Sequence, residues 1–195
     1  MPKQRITKEM VVEAAFEIVK TGGMEQITVK TIAEKIGCSV QPIYSYCKNM
    51  EGLRQNVTER VNRFVREYVC SNIDKKDPFH STGKAYIRLA KEEPHLFKIF
   101  ILHQRNGISS LDDFYNSETS EEIPTALANK FNISISQAKQ FHLNMLIFTI
   151  GIGTIFSVTI PGISADEIFM KQEQAYNAFM KLALEENDNE KTSIF

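Results

Sequence analysis

Tryptophan is absent from this 195-residue chain, and glycine (nine), proline (six) and cysteine (three) are scarce. Few glycines and prolines leave long stretches without a break signal, which suits helices better than many short strands. Cys38, Cys47 and Cys70 are too few and wrongly spaced for a disulfide framework or a zinc site. They read as small apolar fillers in a reducing cytoplasm, with a thiol switch between Cys38 and Cys47 as the alternative. The opening MPKQRITKEM has no apolar run of the signal-peptide type, so the protein is expected to stay inside the cell. Enzymatic patterns are missing too: there is no Ser/His/Asp order, HExxH, glycine-rich phosphate loop or cysteine pair, and His80, His95, His103 and His142 are scattered. The expectation is a protein that is not an enzyme and needs no cofactor.

A net charge of −1 argues against a uniformly basic nucleic-acid binder, but the charge is divided unevenly. Residues 1–66 carry eleven lysines and arginines against seven acidic residues, whereas the remainder carries twelve against seventeen. A basic front and an acidic back suit a protein that presents one end to phosphate. Within that front, residues 28–46 (TVKTIAEKIGCSVQPIYSY) read as two short helices and a tight turn. Thr28 caps the first, and Val29, Ile32, Ala33 and Ile36 recur at spacings of three and four. Gly37 ends it where the backbone must turn left-handed. Pro42 belongs in the first turn of the second helix, with Ser39 or Gln41 as its cap. Ile43 is its buried anchor, and Ser39, Gln41, Tyr44, Ser45 and Tyr46 are left outward, a face of the size that enters a major groove.

Together with a first helix over residues 7–21, the pattern T-x-x-x-V-x-x-A-A-x-x-x-V, ITV-x-x-IAE-x-x-G-x-S, Y-x-Y and N-x-E-x-L resembles the DNA-binding domain of the TetR (tetracycline repressor) family. The resemblance covers residues 6–53. Two positions depart from it: Cys47 stands where an aromatic packs, and Met50 where a lysine reaches phosphate, a charge that Lys48 replaces. The resemblance implies a homodimer through the last two long helices, a double-stranded operator and an unidentified small-molecule effector. Phosphate contacts are expected from Tyr44, Lys48, Thr28 and the N-terminal residues Lys3 and Arg5, and base-edge contacts from Lys30, Gln41, Ser45 or Tyr46. Ser39 and Pro42 complete the expected surface. An alternative is a helix-turn-helix-derived protein-interaction module with weak or no DNA binding.

Further on, Asn49 is expected to cap a helix over residues 50–71 whose face carries Leu53, Val57, Val61, Phe64, Val65 and Tyr68, its arginines paired with Glu59 and Glu67. A helix from Pro78 stops at Pro94, after which residues 85–102 resemble the opening of one regulatory class of the same family. Residues 106–122 read as a loop, residues 123–131 as a helix, and Ser134 with Gln137 as a capping box. Residues 143–160 hold no charge and are long enough to span a membrane, but their Asn, Gly, Ser and Thr content favours a helix buried on one side by its own domain and on another by a partner subunit. After Pro161 and Gly162, Ser164 and Glu167 open a last helix to about residue 186 with Ile168, Phe169, Gln172, Ala175, Tyr176, Phe179 and Leu182 on its apolar face, followed by a frayed tail.

The fold class is therefore expected to be all-α, with a three-helix DNA-binding domain over residues 1–53 and a ligand-sensing and dimerisation domain over residues 54–195. Phe97, Phe100, His103, Tyr115, Phe141, His142, Met145 and Phe148, with Phe114, Phe131 and Asn144 nearby, combine aromatic walls with a few polar groups and form the expected effector site, unless the aromatics are plain core.

Overall fold

The computed structural model describes residues 6–46, 50–160 and 162–192, with the side chains of Ser45 and of residues 186–192 outside that description. Among the described residues the chain is mostly helical and contains no strand. It divides into two compact units, Met1–His103 and Gln104–Phe195. The first therefore runs past residue 53 and takes in three more helices.

In the first unit, α1 (Lys8–Gly22) starts where Thr7 accepts a hydrogen bond from the Met10 amide at 3.3 Å. Val11, Ala14, Ala15, Phe16 and Val19 are buried, so Phe16 joins the expected stripe and Ile18 sits at its half-buried edge. A 3-10 turn (Met24–Gln26) leads to α2 (Val29–Ile36), which opens on a capping box between Thr28 and Thr31. Gly37 closes α2 in the left-handed region at φ 78°, its amide donating to Ala33 and Glu34. Helix α3 (Val40–Tyr46) places Pro42 in its first turn and buries Ile43 completely.

The long α4 (Met50–Ser71) buries Leu53, Val57, Val61, Val65 and Val69 along one stripe. Each such side chain contributes about 1.5–3 kcal/mol of transfer free energy. Its expected cap, Asn49, lies outside the described residues. Helix α4 packs on α1 through Phe16 and Phe64, with ring centroids 5.6 Å apart. Arg60 corrects the expected pairing: it grips Glu13 of α1 with two hydrogen bonds, 2.9 and 3.1 Å, and lies 4.1 Å over the Phe16 ring, rather than joining Glu59 or Glu67. A planar guanidinium makes this two-pronged contact where lysine could not.

Helices α5 (Pro78–Glu92) and α6 (Pro94–Leu102) meet at Glu93, where Pro94 ends one helix and starts the next. Asp77 stands at the cap position of α5 without capping it, since its carboxylate lies 3.3 Å from His80 Nδ1. Lys20 of α1 reaches Glu93 at 2.8 Å and stands over the Phe64 ring, and the hydrogen bond to the Glu93 carboxylate raises its pKa. The Tyr68 hydroxyl donates to Glu92 at 2.5 Å.

The second unit begins with a correction. Residues 106–122, expected as a loop, contain α7 (Leu111–Glu118), capped by Ser110 through the Asp113 amide and carrying the buried Tyr115. Helix α8 (Glu122–Phe131) ends at Asn132 in the left-handed region, as a C-cap requires. The Ser134–Gln137 capping box opens α9 (Ile135–Val158), which packs along α10 (Ala165–Thr192) and α8. Pro161 lies outside the described residues; Gly162 adopts φ 110°, and Ser164 accepts from the Glu167 amide. Helix α10 continues to Thr192, past the expected end near residue 186. Leu182 is exposed and Ala183 is buried in its place, because the buried stripe of α10 drifts by one position toward its end.

Among the described residues α9 is the one helix long and apolar enough to cross a membrane, with a mean hydropathy of 1.7 over its best 18 residues, a third of which are buried.

Candidate nucleic-acid interface

Helix α2 is held at both ends. The Thr28 hydroxyl accepts from the Thr31 amide at 3.0 Å, the Thr31 hydroxyl accepts from the Thr28 amide at 3.0 Å and also reaches the Gln26 carbonyl at 2.9 Å. Beyond Gly37, the Cys38 amide joins the Gly37 amide on the Ala33 carbonyl, both at 2.9 Å, which tightens the end of the helix. With Ile43, Ile32 and Ala33 buried beneath, the outward side chains are presented by a short rigid platform.

On that platform Ser39, Gln41 and Tyr44 are exposed, Tyr44 by 62%, and Pro42 is half-buried. A phenol this open is unusual for a group serving only packing. Lys30 projects from the first turn of α2; Glu34 lies 3.9 Å away, too far and too solvated to hold it. The Thr28 hydroxyl is engaged in its cap but remains at the surface. Tyr46 differs: its hydroxyl donates to the Ile6 carbonyl at 2.6 Å, so its one proton is already used. Lys3, Arg5, Cys47 and Lys48 lie outside the described residues, as does the side chain of Ser45.

The eight expected effector residues fall in both units, three in the first and five in the second. In the first, Phe97 is enclosed in the core, Phe100 stacks on Tyr86 at 5.8 Å, and His103 Nδ1 lies 2.6 Å from the Phe100 carbonyl. In the second, Tyr115 and His142 are brought together directly, edge to face, with the hydroxyl 2.9 Å from Nδ1. Burial raises the Tyr115 pKa to about 12 and lowers that of His142 to about 4. Both are thus neutral at pH 7, and the phenol and Nδ1 share one hydrogen bond whose direction follows the imidazole tautomer. Phe141 packs against Phe131 and Tyr176, Phe148 meets Phe179 at 6.5 Å, and Met145 is buried.

Gln172 was legible only as a polar member of an apolar stripe. It is wholly buried on α10, and neither amide atom has a hydrogen-bond partner among the described residues. An open hollow of about 450 Å³ runs beside α8, lined by Glu121, Glu122, Thr125, Ala126 and Asn129, none of them an expected effector residue. Among the described residues no group of three or more His, Cys, Asp or Glu side chains is placed to hold a metal ion.

Comparison of the chain with models of known protein families gives no match, and comparison with curated proteins gives none.

Proposed function

We propose that this chain is a ligand-responsive transcription regulator of the TetR type, a cytoplasmic repressor that binds a palindromic operator as a homodimer and is released by a small molecule. The observation that carries this reading is the α2–α3 platform. Helix α2, capped at both ends, meets α3 at a left-handed glycine, the inner faces close over Ile43, and the outer side presents Gln41 and the open Tyr44 phenol. An amide such as Gln41 pairs with the adenine edge, and a phenol donates to phosphate. The basic excess of residues 1–66 supplies attraction without sequence preference.

Release requires an effector that binds best to a conformation whose recognition helices no longer match the half-site spacing. Helix α4 is the connection that such a change would use, since it packs on α1 and also holds α5 and α6.

Selection of bound duplexes from a random DNA library tests the reading. A palindromic consensus is expected, weakened throughout by Tyr44→Phe and relaxed at one position by Gln41→Ala. Recovery of no enriched sequence would overturn it in favour of a protein-interaction module on the same platform.

A further inference from the structure

Gln172 carries an inference that rests on the effector-release reading and deepens it by naming the effector's chemistry. The residue is 0% exposed on α10, and its carbonyl oxygen and its amide nitrogen both lack a hydrogen-bond partner among the described residues. Gln137, the other buried glutamine, differs, since its carbonyl oxygen accepts from the Ser134 amide at 2.8 Å and closes a helix cap. Taking an amide out of water without a partner is unfavourable, and native interiors keep such groups rare. A methionine or leucine would fill the same place with no such penalty, so packing alone gives no reason for the amide.

The surroundings are apolar and aromatic. Ile168, one turn before Gln172, is buried, and Tyr176, one turn after it, rests edge-on against Phe141 of α9 with ring centroids 5.4 Å apart. Phe141 meets Phe131 of α8 in the same manner at 6.1 Å. Met145, one turn along α9 from Phe141, is buried on the same stripe, and its unbranched chain changes shape at little cost. Apolar walls that give affinity, with one polar group that fixes orientation, are the makings of a small-molecule site.

We propose that the second unit holds a binding site in which the Gln172 carboxamide pairs with a flat, uncharged molecule carrying an amide or lactam edge. A carboxamide offers an N–H donor beside a C=O acceptor, and an amide or lactam returns the complement, so both unpaired atoms are satisfied at once. A carboxylate accepts only; it would leave the Gln172 oxygen unpaired and carry a charge into an apolar interior. A hydrocarbon of the same shape would leave both atoms unpaired.

The test titrates the full chain, without DNA, with 2-pyridone and benzamide, using benzoate and toluene as controls, and reads binding by saturation-transfer NMR. The two amides should bind and benzoate should not. Gln172→Met should weaken both amides by about tenfold or more, as expected for the loss of two hydrogen bonds, while toluene binds as well or better and shows the fold intact. Gln172→Met and Gln172→Leu should also unfold about 3 °C or more above the wild type, because the unpaired amide is gone. Amides held equally by wild type and variants, or benzoate held as tightly as benzamide, overturn the proposal. So does unfolding several degrees lower in both variants, which would show the amide to be partnered within the protein. Bound 2-pyridone should lower the affinity of the wild type for its selected operator, and an operator affinity that it leaves untouched overturns the effector role while the site stands. Wild-type protein that selects no DNA sequence overturns the regulator reading alone, since the titration is made without DNA.

Discussion

His142 sits half-buried on α9 with Nδ1 hydrogen-bonded to the Tyr115 hydroxyl, and burial holds its pKa near 4, below the ordinary 6.5. Between those values the unfolded chain takes up a proton that the folded chain refuses. The stabilisation from keeping this imidazole neutral is therefore complete above about pH 6.5 and is lost as the pH falls toward 4. A shift of this size corresponds to at most about 3.5 kcal/mol, since one pKa unit is about 1.4 kcal/mol. Urea unfolding at pH 7.5 and pH 5 should show a smaller loss of stability in His142→Phe than in the wild type. The variant should also start lower by about 1–3 kcal/mol, because the buried Tyr115 hydroxyl loses its hydrogen-bond partner. Equal pH dependence in the two proteins would show that His142 is not the group being charged. Nothing local to His142 announces this pairing: Tyr115 lies 27 residues away, on a helix that the sequence hides.

At the scale of elements, legibility followed local chemistry. Helices α1 and α2 and their caps were readable because a capping side chain, a three-and-four apolar rhythm and a terminating glycine all lie within a few residues of one another. Helix α7 was not, because Asn106, Gly107 and the serines around it carry turn chemistry and its eight residues give too little rhythm, although Ser110 and Asp113 were available as a cap signal. The Arg60–Glu13 grip and the Tyr46–Ile6 pin join residues 47 and 40 positions apart, and periodicity cannot report such pairs. The α2–α3 turn offers the plainest test at this scale. A Cβ on Gly37 would meet nothing within 4 Å, so Gly37→Ala carries no clash and only the penalty of φ 78°. That penalty is about 1 kcal/mol, and Gly37→Asn should lose less, since asparagine tolerates the left-handed region. Chemical denaturation that ranks Gly above Asn above Ala would support a turn held by backbone conformation, whereas an alanine variant as stable as the wild type would contradict it.

For the whole molecule, the unexplained surface is one side of α9. Ile147, Gly151, Ile155 and Val158 follow one another at spacings of four, four and three, which keeps them on a single stripe. The three larger residues are 45–54% exposed in the single chain. Gly151 is informative because a Cβ there would touch nothing in its own chain. The fold does not demand the missing side chain, while a second helix laid against the stripe would, because glycine lets two backbones approach closely. The proposed two-fold dimer accounts for this, and DNA geometry asks for the same symmetry, with half-sites about one helical turn apart. Changing Ile147 and Ile155 to aspartate replaces surface side chains, so the chain should stay folded while the dimer is lost, and light scattering should report a mass near the 22.3 kDa of one chain instead of twice that. Gly151→Leu should weaken association without adding charge, which separates close packing from mere hydrophobicity. Operator affinity should fall steeply in both variants, because a monomer holds only one half-site and forfeits the second. A wild-type mass of one chain in solution would remove the dimer, and aspartate variants that keep the dimer mass would move the interface to another face.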